Sequence, residues 1–105
     1  MHKIYILEKD KIQAIVLNTI QEFCENNGVE FEGEITADQR LIGKSGLFDS
    51  MDLVKFLVDL EEVLEEIFDK GFYLSDERAM SRSHSPFINA EELTKFIIEL
   101  EEDGE

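Results

Sequence analysis

A serine carries a covalent group only if something takes its proton and something steadies the charge of the incoming phosphate or acyl group. Asp49 and Ser50 stand in the stretch GLFDSMDLVKFLVDLEE, residues 46 to 62, where a helix is expected to begin. A serine in a first helical turn projects its hydroxyl beside unpaired backbone N–H groups. A phosphate placed there is stabilised by those groups and by the helix dipole. Ser50 lacks an activating base: its neighbours in sequence are acids, and Lys55 stands about one and a half turns further on. Ser50 therefore reacts only where a second protein supplies the catalysis. A hydrolase built from Ser50, His84 and an acid is set aside, because His84 lies in a serine-rich loop and no Gly-x-Ser-x-Gly elbow is present. The same pair also has a plain structural use. Asp49 and Ser50 are both preferred N-cap types, and Asp52 has capping-box spacing from Asp49.

The helix behind Ser50 has two faces. Placed at about 100° per residue, Leu53, Phe56, Leu57, Leu60, Val63, Leu64, Ile67 and Phe68 share one arc, enough for a core. Met51, Val54 and Val58 fall on the other side, among Asp52, Lys55, Asp59, Glu61, Glu62 and Glu65. An apolar strip edged by charge is one form of docking surface, and scattered exposed apolar residues are its bland alternative.

The remaining segments must hold this helix in place. Asp10 is expected to cap a first helix in which Ile12, Ile15, Val16, Ile20 and Phe23 recur at three and four, ending at ENNG with Gly28 as the stop. Residues 28 to 49 make a long connection with one short turn, where Thr36 and Gln39 have capping-box spacing. The second helix runs from Asp49 or Ser50 to about Asp69, where DKG ends it. In FYLSDERAMSRSHSPF, Ser75 has the type to cap a short third helix, while SRSHSP reads as loop. A final helix starts at Asn89 with Glu92 completing a capping box, and Leu93, Phe96, Ile97 and Leu100 give it an apolar stripe. The expected fold is all-α: a small antiparallel four-helix bundle of three longer helices and one short one. It forms one domain over residues 1–105, with a core of about 10–101, an N-terminal extension at 1–9 and a frayed acidic tail at 102–105.

Composition narrows the partners. A chain of 105 residues with 43% hydrophobic content is long enough for one core and too short for two. Lys and Arg number 10 against 25 Asp and Glu, and the formal charge of -15 repels nucleic-acid phosphates and anionic lipid heads alike. Basic proteins or small cargo remain as partners, with no nucleic acid and no membrane insertion, and a monomer is expected. No apolar run approaches the roughly 18 residues of a membrane span, and MHKIYILEKD lacks the features of a signal peptide. A cytoplasmic location follows by default. Cys24 is the only cysteine, so an internal disulfide and a cysteine-based metal site are excluded; on the apolar side of the first helix it reads as a buried structural thiol. No DxDxDG loop with a terminal Glu exists, which sets aside an EF-hand, and no metal is expected. His2 and His84 read as surface residues.

GLFDSMDLVKFLVDLEE resembles the modification-site helix of acyl carrier proteins, whose signature is Asp-Ser-Leu followed by an amphipathic acidic helix. The resemblance covers roughly residues 10 to 100. It includes the first helix ending at Gly28, the long loop, the approach through GKSGLFD, and SPFINAEELTKFI, which looks like the family's path into its last helix, with Asn89 where Thr is common. It implies that Ser50 accepts 4'-phosphopantetheine from coenzyme A through a separate phosphopantetheinyl transferase. Asp49 would help to orient that enzyme and its magnesium-bound substrate. The arm ends in a thiol that holds acyl cargo as a thioester, so the chain itself is a non-catalytic carrier. Met51, Asp52, Val54, Lys55, Val58, Glu61 and Glu62 become the docking face, steering basic patches on the transferase and on acyl-loading and acyl-processing enzymes. Met51 replaces the usual Leu, a volume-conserving change. Lys55 stands where the family usually has an acid, and extra length at Met1 to Lys9 and around VLEEIFDKGFYLSDERAMSRSH points to a specialised member rather than the housekeeping one. Lipid, polyketide and aminoacyl or peptidyl cargo all remain open. The rival class is an unmodified acidic helical interaction module, which predicts no covalent change at Ser50.

Overall fold

The structure is a computed structural model that describes residues 3–69, 71–74 and 85–103, with side chains described between 9 and 100. Those residues form three helices and no strand: α1 Lys3–Asn27, α2 Ser50–Phe68 and α3 Ala90–Asp103. The short helix expected after Ser75 lies outside the described residues, as do His2 and His84. Among the described residues no helix is long and apolar enough to cross a membrane.

α1 corrects the sequence reading at its start. It is continuous from Lys3, so Asp10 is an exposed mid-helix residue, not a cap, and most of the expected extension at 1–9 is helical. Nothing in KIYILEK breaks a helix, and Asp10 interrupts the pattern only by its type; a good cap residue does not start a helix when the preceding turn already propagates one. The other end is as expected. Gly28 takes φ 71°, and the Val29 N–H donates to the Cys24 carbonyl at 2.9 Å, the closure that a left-handed glycine after a helix permits.

α1 packs against both other helices. Lys11 near its start lies 5.7 Å from the centre of the Phe68 ring at the end of α2, while Phe23 near its end meets Phe48 and Phe56 at the start of α2. α1 and α2 therefore run antiparallel. α3 begins behind Asn89, whose Oδ1 accepts the Glu92 N–H at 2.8 Å. The Glu92 carboxylate lies 3.4 Å from Lys95 Nζ, and the Glu91 N–H is met by the Ala37 carbonyl of the long loop.

One core joins these elements. Ile12, Val16, Ile20, Phe23 and Cys24 of α1 pack with Phe56, Leu57, Leu60 and Leu64 of α2 and Leu93, Phe96 and Ile97 of α3. Leu53 and Phe68 are half-buried against that core, and Val63 is half-buried. Ile67 is a correction: it shares the inward arc yet stays 41% exposed. A helical angle says which way a side chain points, whereas burial also needs a neighbour, and Ile67 belongs to the last turn, beyond Leu64. That turn ends at Asp69, which takes the left-handed conformation (φ 57°) and donates its N–H to the Glu65 carbonyl.

Candidate functional site

The loop before α2 fixes the direction from which the chain enters it. The Leu47 and Phe48 N–H groups donate to the carbonyls of Arg40 and Leu41 at 3.1 and 2.8 Å, and the Leu41 N–H donates to the Ile88 carbonyl at 2.8 Å. Leu41 and Phe48 are buried, so this small knot is sealed onto the core. Its closure requires glycine at 46, where an added Cβ would stand 2.5 Å from the Ile42 backbone. Phe48 then packs its ring 5.2 Å from both Phe23 and Phe56, one residue before the cap.

Asp49 is the N-cap of α2, with extended backbone at φ -84° and ψ -176°. Its Oδ1 accepts the Asp52 N–H at 2.8 Å, and the Asp52 carboxylate accepts the Asp49 N–H at 3.4 Å, closing the capping box. Ser50 is the first helical residue, and it is exposed. The cap is thus supplied by its neighbour, and the helix start makes no use of the serine hydroxyl. Met51, Val54 and Val58 are 69%, 61% and 49% exposed, and Lys55, Asp59, Glu62 and Glu65 are exposed beside them. The outward strip expected from the spacing is present.

Two members of the expected docking set have other duties. Glu61 is half-buried, and its carboxylate accepts the Leu74 N–H at 2.7 Å, holding the segment after α2 against the helix; Phe72 and Leu74 of that segment are buried. It is therefore removed from the free acidic rim. Its position beside the core arc, next to Leu57 and Leu60, is the signal that would have placed it there. Asp52 is half-buried and engaged in the capping box. Sequence spacing also missed Leu41 and Phe48 as the parts that aim Asp49 and Ser50, because the knot they form is anchored by residues distant in the chain, Ile88 against Leu41 and Phe23 against Phe48.

No group of three or more His, Cys, Asp or Glu that would hold a metal ion occurs among the described residues. Cys24 is buried, and its thiol is held above the usual range, first by burial and then by the negative charges of Asp52 and Glu25. It is poorly suited to act as a nucleophile. Comparisons with protein-family models, with curated proteins and with solved structures return no match to this chain.

Proposed function

We propose that the chain is an acyl carrier protein whose Ser50 bears 4'-phosphopantetheine. The observation that carries this reading is the division of labour at the start of α2: Asp49 caps the helix, and Ser50 is left exposed in its first turn. The chemistry fits the position. A phosphodiester on Ser50 lies at the positive end of α2, where unpaired N–H groups and the dipole favour negative charge. Transfer requires the Ser50 oxygen to form a P–O bond to the pantetheine-bearing phosphate of coenzyme A. The pyrophosphate P–O bond breaks, adenosine 3',5'-bisphosphate leaves, and the serine proton passes to a base of the transferase.

Met51, Val54 and Val58 form the apolar centre on which that enzyme and later acyl-loading and acyl-processing enzymes land, and Glu62 and Glu65 supply the negative rim. Asp49 serves twice, as cap and as a carboxylate for the transferase to recognise. The finer fold that goes with this reading is a four-helix bundle, and the setting is cytoplasmic. Incubation with a broad-specificity phosphopantetheinyl transferase and a fluorescent coenzyme A tests it. Label on the wild type and none on Ser50→Ala is the expected outcome. Equal labelling of both, or of neither, removes the assignment.

A further inference from the structure

Between the end of α1 and the outward face of α2 lies a cleft of about 340 Å³, lined by Phe23, Asn27, Val54, Lys55, Val58 and Asp59. We propose that this cleft is the resting site of the pantetheine arm, an inference that rests on Ser50 being its attachment point. Ser50, Val54 and Val58 are spaced at i, i+4 and i+8, so they form one row along the helix surface. The cleft thus opens about 6 Å, roughly one turn, from the attachment residue, and an arm folded back along α2 enters it directly.

The lining matches the chemistry of that arm, a flexible chain with apolar carbons and two amides. Val54, Val58 and the buried Phe23 ring supply apolar walls and floor. Lys55 supplies a donor for an amide carbonyl, and Asp59 an acceptor for an amide N–H. Asn27 donates its Nδ2 to the Phe23 carbonyl at 3.0 Å, which leaves its Oδ1 as a second acceptor. An open, mostly apolar recess with a few polar groups among its lining has the make-up of a small-ligand site, and its volume lies at the low end of the usual range of about 300–1,000 Å³. Lys55 gains a use here that an acid at that position would not supply.

The test compares backbone amide shifts of the ¹⁵N-labelled full chain before and after exhaustive modification, with completeness read by intact mass. Besides the neighbours of Ser50, the amides of Asn27, Lys55, Val58 and Asp59 are expected to move. Asn27 is the most telling, because it sits on a different helix. In fully modified Val58→Asp the Asn27 change is expected to vanish while those beside Ser50 persist, and in Lys55→Ala it is expected to shrink at least twofold. Changes confined to residues 49–51 of the fully modified wild type overturn the inference and leave the carrier reading intact. A cleft that responds only when the transferase is added belongs to the partner, and also overturns it. No mass gain at all removes the carrier reading and this inference together.

Discussion

Asp49 caps α2 and Ser50 stays exposed beside it, and their variants are expected to differ accordingly. Asp49→Ala removes a side chain that accepts the Asp52 N–H and should cost about 0.5–2 kcal/mol of stability. Ser50→Ala removes an exposed hydroxyl outside the cap and should stay within about 0.5 kcal/mol of wild type. Urea denaturation of both variants checks this; equal losses would make Ser50 a structural residue. Cys24 permits a separate test by pH. Its folded-state pKa is raised, chiefly by burial, so the neutral thiol is the form that the fold stabilises. That contribution is complete below the ordinary thiol pKa of about 8.5 and is lost as pH rises through the higher folded value. The urea midpoint of wild type should therefore fall on going from neutral to alkaline pH by more than that of Cys24→Ala.

The elements differ in how far their residues announced them. α2 was legible because capping chemistry and a 3.6-residue apolar arc coincide: Asp49 with Asp52 sets the start, and Phe56, Leu57, Leu60 and Leu64 are buried as expected. The same pattern misplaced Ile67 and Glu61, since an angle fixes direction but not whether α1 or the 72–74 segment stands opposite. The start of α1 was hidden because Asp10, a good cap by type, lies inside a run that is helical from Lys3. The knot at residues 40–48 left no periodic trace. Phe48 is held by Leu41, and Leu41 in turn by Ile88, 47 residues further along the chain. Gly46 tests that knot. Gly46→Ala would place a methyl 2.5 Å from the Ile42 backbone and should cost about 1–3 kcal/mol by overpacking. Thermal or urea unfolding measures the loss. A neutral outcome would mean that the loop repacks freely and does not aim Ser50.

Over the molecule as a whole, the charge is -15 and Met51, Val54 and Val58 form an exposed strip; under the proposed carrier function, recognition is partly electrostatic and partly apolar. Charge steering is screened over a Debye length of about 8 Å at physiological ionic strength, so the initial rate of transfer to Ser50 should fall as salt rises. Val54→Asp should slow it further by placing an unpaired charge in the apolar centre. Lys55→Glu should speed service by general-purpose transferases. Rates indifferent to salt and to both substitutions would mean that the partner lands elsewhere. The most direct measurement is the mass of the full chain after co-expression with a broad-specificity transferase, followed by fragment mapping. A gain of one phosphopantetheine on the peptide containing Ser50, absent from Ser50→Ala, is the expected result. An unchanged mass, or a gain that maps to Ser45 or Ser75, would contradict it.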